Sequence, residues 1–379
     1  MLPRTCSPST PLVSSVASSL RRILFVAYPL APVCDESCGG AEQILRILEQ
    51  QFHSSGYETF IAACADSRAA GRVLATNSSA VQFEDLERLQ EEQFASIQLA
   101  VRKHKIDLIH DHGGCLWRSG GQFDVPVLAT LHLDRSAYQK EELRRRASNV
   151  FLNCVSRSQA ARFVRTPVSV VTNGIETERF AYSESGGDYL IWIGRICEDK
   201  APHLAIDIAE RAGMRLLIIG AKHLYDVHQA YAERELYPRL KSANVKWIDN
   251  PPFATKVELL RGARALVITS AVEETSSLVA LEAMACGTPV VTVDRGALGE
   301  IVRDGETGIV TEVGLMHLAA RDAHHIERRQ CRAHVLENHS AERMRIEYEQ
   351  LYRDVARAAV PAHEAPGRFG VGAPAFAGD

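Results

Sequence analysis

Short apolar runs alternate with stretches of helical period along most of the chain. Ile23-Leu24-Phe25-Val26-Ala27-Tyr28 is continuous and apolar, so it reads as a buried first strand. A loop over 29–38 leads to Gly39-Gly40 and to an amphipathic helix from Ala41 to about His53. Residues 58–63 read as a second strand. Residues 84–104 place Leu86, Leu89, Phe94, Ile97 and Val101 at helical spacing. Further strands are predicted at 107–110, 125–130, 150–155 and 168–171, and Asn173-Gly174 makes a turn. A second alternation opens with Tyr189-Leu190-Ile191-Trp192-Ile193. It continues with a helix over 202–212, a strand at 216–219, a helix over 226–241 and strands at 245–248 and 265–268. A helix beginning near Ser276 or Ser277 then stops at Gly287 and turns at Pro289 into a strand over 289–293.

Strands and helices alternating in this way build parallel sheets. The pattern predicts an α/β fold of two Rossmann-like domains, 22–180 and 188–340. Residues 181–187, with Ser183, Ser185, Gly186 and Gly187, read as a hinge between them. Residues 341–357 form a terminal helix. Residues 358–379, rich in Ala, Pro and Gly, read as a flexible tail. Residues 1–21 are rich in Ser and Pro and carry no acid, a composition shared by a flexible leader, a transit peptide and an overlong start.

Composition narrows the class. A chain of 379 residues exceeds the usual single domain, and 46% hydrophobic content fills two cores. A net charge of −4 gives no field for nucleic acid. The nine cysteines are scattered, and Cys34 and Cys38 lack a second pair to complete a zinc site. They read as reduced thiols in a cytoplasmic protein. No apolar run approaches the roughly 20 residues that span a bilayer.

The densest chemistry lies between Glu274 and Glu282. A helix starting near Ser276 aims free N–H groups and the positive end of its dipole at whatever precedes it, which suits a diphosphate. If the whole eight-residue step from one acid to the other is helical, Glu282 lies about 12 Å beyond Glu274. One acid then faces the sugar of a bound sugar nucleotide and the other its ribose. The segment from Glu274 through Leu278, Val279, Leu281, Glu282 and Ala283-Met284-Ala285-Cys286-Gly287 resembles the E-x7-E signature of the retaining glycosyltransferases of family 4. Here Thr275-Ser276-Ser277 replaces that family's Gly-Phe-Gly. Gly194-Arg195 with Lys200 resembles its G-R-x4-K pattern, with Ala201 in place of the glycine that follows the lysine. Asn173-Gly174-Ile175 resembles its segment before the linker.

The resemblance implies a GT-B fold, two Rossmann-like domains facing across an interdomain cleft, with the terminal helix crossing back to the first domain. It implies a retaining transferase that moves a hexose from a nucleotide diphosphate sugar, expected to be UDP-linked, to a hydroxyl acceptor. Arg195 and Lys200 would hold the diphosphate as negative charge grows on it. Ser276, Ser277, Leu278 and Val279 would meet phosphate, Glu282 the ribose and Glu274 the sugar. Gly39-Gly40 would let backbone approach the donor from the opposite side. His132, in Ala129-Thr130-Leu131-His132, resembles the family's T-x-H histidine beside the donor sugar. His112 is an acceptor-side candidate. It shares a strand face with His110, but a third metal ligand is not evident. No D-x-D triplet occurs in the chain, so no metal and no cofactor are expected. Arg144, Arg145, Arg146, Arg162 and Arg165 either form a solvated face or meet a phosphorylated or lipid-linked acceptor at a membrane surface. Two other readings stand beside transfer: a GT-B sugar-nucleotide epimerase, and a degenerate member that binds sugar nucleotide without turnover.

Overall fold

A computed structural model of the chain describes residues 20–35, 37, 39–77, 85–221, 226–241 and 244–359. Nearly all of the predicted leader and tail, and Cys38, lie outside the described residues.

The first sheet contains β1 (Arg22–Val26), β2 (Glu58–Ala63), β3 (Arg72–Ala75), β4 (Leu108–Asp111), β5 (Val127–Leu131), β6 (Val150–Cys154) and β7 (Ser169–Val170). Its strands are parallel and ordered β3-β2-β1-β4-β5-β6-β7. Helices α1 (Gly40–Ser54), α2 (Leu86–His104), α3 (Lys140–Arg145) and α4 (Arg157–Ala161) connect them. The continuous apolar run of β1 follows from burial on both faces. Ile23 and Phe25 join the core beneath α1, while Leu24 and Val26 join the core beneath α2. The sequence reading missed β3 because Arg72–Ala75 is a short, partly exposed edge strand.

The second sheet contains β8 (Tyr189–Ile193), β9 (Arg215–Ile219), β10 (Val245–Ile248), β11 (Ala265–Ile268), β12 (Val290–Thr292) and β13 (Gly308–Val310). Its order is β10-β9-β8-β11-β12-β13, again all parallel. The helices here are α5 (Pro202–Ala212), α6 (Asp226–Tyr231), α7 (Phe253–Gly262), α8 (Leu278–Ala285), α9 (Leu298–Ile301), α10 (Met316–Asp322) and α11 (Arg328–Asn338). The helix expected over 226–241 breaks up. After α6 the backbone widens to a π-turn at Ala232–Leu236 and tightens at Arg239–Lys241, around Pro238, which has no N–H to continue the ladder.

The final helix, α12 (Ala341–Ala359), lies against α1. Its stripe of Met344, Tyr348, Tyr352 and Val355 is part of the first sheet's core. The two chain crossings between the sheets run side by side. Ile175 bridges Ser340, with Ile175 N–H donating to His339 at 2.9 Å and Ala341 N–H to Ile175 at 2.8 Å. Gly174 is required here, because a Cβ would lie 2.3 Å from the Ser340 carbonyl. Residues 181–187, expected to be a hinge, hydrogen-bond to the second domain. Ser183 N–H donates to Cys286, Gly187 N–H to Gly262, and the Ser183 carbonyl accepts from Arg328. The Arg328 guanidinium also reaches the carbonyls of Ala263 and Arg261 and the Thr288 hydroxyl.

Candidate active site

In each sheet the strand order reverses beside the first strand, between β1 and β4 and between β8 and β11. Such reversals open a crevice at the carboxyl ends of the strands. The loops that leave those ends carry most of the predicted site residues.

α8 is apolar almost all round because it is buried in the second core: Ala280, Leu281, Ala283, Met284 and Ala285 are at most 1% exposed. It begins at Leu278, with Ser277 at the cap position. The Ser277 hydroxyl makes no cap bond, against the expectation from its residue type. The N–H groups of Leu278, Val279 and Ala280 therefore have no acceptor among the described residues. Glu274 lies before the helix in extended backbone that bridges Gly296. The helical span assumed between the two acids is thus corrected: only Leu278 to Glu282 is helical, a rise of about 6 Å.

Each acid has a cation. Glu274 Oε1 accepts close bonds from Lys200 Nζ and Ser270 Oγ. Glu282 is 4% exposed, and Lys256 Nζ lies 2.8 and 3.0 Å from its two carboxylate oxygens. Lys256 comes from α7 and matches no motif, so no spacing in the sequence pointed to it. Its ammonium sits 5.3 Å from the Phe253 ring centroid, and the Arg179 guanidinium 4.5 Å from that centroid. Lys200 is followed by Ala201 in the left-handed region, φ 47°, which explains why a glycine fits this position. Arg195 is exposed and makes no ion pair among the described residues.

Three contacts bring the first domain to this loop. Gly40, at the start of α1, lies against Leu278: a Cβ there would be 3.7 Å from Leu278 Cδ1. Thr275 Oγ1 donates to the His132 carbonyl at 2.8 Å. Arg162 lies 3.2 Å from Asp134 and 3.9 Å from Glu273 across the gap. Thr275 belongs to the segment that departs from the family pattern, and a glycine could not make its bond. Beside Gly39, the Glu42 side chain folds back over the helix start, where burial holds its carboxyl above the usual range.

His132 follows β5 and is the outermost of three linked rings. His112 Nδ1 lies 2.9 Å from His132 Nε2, and His112 Nε2 lies 3.3 Å from His110 Nδ1. The His112 and His132 rings stack, with centroids 5.1 Å apart. His112, expected to face an acceptor, is 4% exposed and is enclosed between its two neighbours. Burial lowers all three imidazoles and His132 falls to about 4, so the cluster is neutral at pH 7. Among the described residues no group of three His, Cys, Asp or Glu side chains is arranged to hold a metal ion. Also among them, no helix is long and apolar enough to cross a membrane.

Two parallel α/β sheets with crevice-lining cations, acids and an open helix start define the GT-B glycosyltransferase architecture. Solved structures share that fold. Sucrose-phosphate synthase from Thermosynechococcus elongatus superposes with a TM-score of 0.75 at 19% identity, covering 89% of this chain and 100% of that one. The Anabaena protein HepE, solved in complex with UDP and glucose, gives 0.70 at 17% identity over 88% of this chain and 100% of its own. Two family models match consecutive stretches: Glycosyltransferase Family 4 over residues 38–179 and Glycosyl transferases group 1 over 174–343. The chain belongs to this glycosyltransferase family. Among curated relatives, the glycogen synthase of Mycobacterium tuberculosis is 28% identical over 242 residues, 55% of this chain and 57% of that protein. A D-inositol 3-phosphate glycosyltransferase of Rhodococcus jostii is 27% identical over 298 residues, 64% of this chain and 65% of that protein. The chain spans only about three fifths of the length of such relatives.

Proposed function

We propose that this chain is a retaining, metal-independent hexosyltransferase that takes its sugar from a UDP-linked donor bound between the two domains. The observation that carries the reading is the joint placement of the open α8 start, the Lys200–Glu274 pair and the buried Glu282 on one side of the crevice. Anabaena HepE, solved with UDP-glucose, supports the choice of base.

Arg195 and Lys200 hold the diphosphate, together with the N–H groups of Leu278 and Val279. The positive charge they supply stabilises the leaving group as the bond from sugar C1 to phosphate oxygen breaks. The acceptor hydroxyl attacks C1 from the same face, and the departing phosphate oxygen takes its proton. Glu282 accepts from the ribose hydroxyls, with both oxygens already oriented by Lys256; each carboxylate oxygen keeps a free lone pair for this. On binding, Lys200 turns part of its charge from Glu274 to phosphate, which frees Glu274 to accept from a sugar hydroxyl. Thr275 joins the His132 backbone to this loop, so that both residues meet the sugar.

Calorimetry with UDP, GDP and ADP tests the reading. Wild type should favour UDP. Lys200→Ala and Arg195→Ala each lose a charge-assisted contact worth about 1.5–3 kcal/mol, or about 10- to 150-fold in affinity. Unchanged UDP affinity in both variants refutes this placement of the diphosphate. An inverted anomer in the transfer product refutes retention.

A further inference from the structure

Two hydroxyls where the chain leaves β11 serve the Lys200–Glu274 pair, one for each partner. Thr269 Oγ1 accepts from Trp192 Nε1 at 3.1 Å and reaches the backbone carbonyls of Lys200 and Ala201 at 3.0 and 2.9 Å. It fixes the backbone of the lysine and leaves the ammonium on its flexible stem. Ser270 Oγ donates to Glu274 Oε1, the oxygen that also accepts from Lys200. Ser270 is 1% exposed, so this hydroxyl is closed to solvent. The backbone around it is held on both sides. Arg295 Nη1 donates to the Ser270 carbonyl at 2.9 Å, and Ala271 N–H donates to the Asp199 carbonyl at 2.7 Å. The Glu274 carbonyl accepts from Ala297 N–H, also at 2.7 Å.

We propose that Ser270 is a positioning residue: it keeps Glu274 Oε1 engaged when Lys200 turns to the diphosphate, so that Glu274 Oε2 stays directed at a hydroxyl of the donor hexose. This inference rests on the reading that Glu274 meets that sugar. Each carboxylate oxygen has two lone pairs, and Lys200 and Ser270 together fill those of Oε1. Oε2 has no hydrogen-bond partner among the described residues, so it is the oxygen left for a ligand. The Ser270 hydroxyl has one proton, and an ionised carboxylate can only accept, so the direction of the bond is settled.

A bound donor acts differently on the two groups that hold Oε1. The Lys200 side chain is 28% exposed and ends in a mobile point charge, which a diphosphate draws toward itself. The Ser270 hydroxyl is neutral, buried and short, and it cannot follow the phosphate. The last torsion of a glutamate side chain is broad, so a carboxylate that loses both donors swings freely. With the serine in place one oxygen stays pinned and the other keeps its direction. A site built to hydrogen-bond a substrate hydroxyl rejects analogues that misplace or lack it. Ser270 therefore governs how the sugar is read and leaves the hold on the nucleotide alone.

The test uses the full chain with UDP, UDP-glucose, UDP-galactose and UDP-N-acetylglucosamine, read by calorimetry and by the rate at which each sugar nucleotide is hydrolysed. Ser270→Ala should keep UDP affinity within about threefold while hydrolysis of the preferred donor slows by ~10- to 100-fold. Ser270→Thr restores the hydroxyl and should recover most of that rate. Lys200→Met should weaken UDP binding yet keep the wild-type ranking of the three donors, because the serine still holds Glu274. The proposal is overturned by a Ser270→Ala variant at full rate, by one whose UDP affinity falls in step with its rate, or by a Lys200→Met variant that loses the ranking. A wild type that binds UDP but ranks the three sugars alike overturns it too. A ligand-free arm separates this failure from failure of the donor reading, which shows as a wild type that does not bind UDP. Urea unfolding of Ser270→Ala, Glu274→Met and the double variant should give losses that do not add, since each single change strands the other partner. Additive losses show that Ser270 does not hold Glu274 and overturn the proposal whatever the donor.

Discussion

Replacing Lys256 by methionine removes the only cation paired with Glu282 among the described residues and keeps the length of the side chain. The two side chains retain 19% and 6% of their exposure, so the pair lies well inside the second domain. Breaking a buried pair by deleting one partner costs about 3–5 kcal/mol, because the remaining charge is left uncompensated. Lys256 keeps some contact with water, and the expected loss is reduced to about 2–4 kcal/mol. At about 2–4 °C per kcal/mol for a domain of this size, Tm should fall by roughly 5–15 °C. Glu282→Gln alone should cost less, since an amide is cheaper to bury than a charge. Combined as Lys256→Met/Glu282→Gln, the two changes should recover at least half of the Lys256→Met loss, because the uncompensated charge is gone. Urea and thermal unfolding of the three variants give the cycle directly. Losses that simply add, or a Lys256→Met loss below about 0.5 kcal/mol, would show that the pair is not energetically coupled. The orientation of Glu282 toward a ribose would then need another cause.

Glu274→Gln and His132→Ala should leave UDP affinity within about threefold while lowering kcat by ~10²–10⁴, as expected for groups that act mainly in the transition state; binding that falls in step with rate would make them nucleotide contacts. Turnover should survive excess EDTA, and a rate that collapses and returns with Mg²⁺ or Mn²⁺ would refute metal independence. Stability should fall on acidification from about pH 6.5 toward 4. His132 and His339 both titrate near 4 when folded against an ordinary 6.5, so the unfolded chain binds more protons across that window. Each such group contributes a slope of up to about 1.4 kcal/mol per pH unit, and a flat urea midpoint between pH 7 and 4.5 would contradict their neutrality. Ala201→Gly relieves a left-handed alanine and should raise stability by up to about 1 kcal/mol; a clear loss would mean the backbone there is not strained.

The alternation of apolar runs and helical periods was enough to place most strands, because a parallel sheet covered on both faces leaves no polar position to confuse the period. β10 and β11 fall where the pattern puts them. The family motifs named the loop around Glu274 and α8 because glycine, proline and carboxylate positions there answer to local backbone and charge. Edge strand β3 escaped since half-exposed positions carry little periodic signal, and helix 226–241 failed at Pro238 where propensity around it is otherwise good. What only the folded chain decided was partnership. Lys256 meets Glu282 from 26 positions away, Thr275 meets the His132 carbonyl from 143, and Tyr352 meets His110 from 242. Local sequence sets which conformations are cheap. Which charge is compensated and which proton has an acceptor depends on distance and burial, and these exist only after the two sheets and the returning helix have packed.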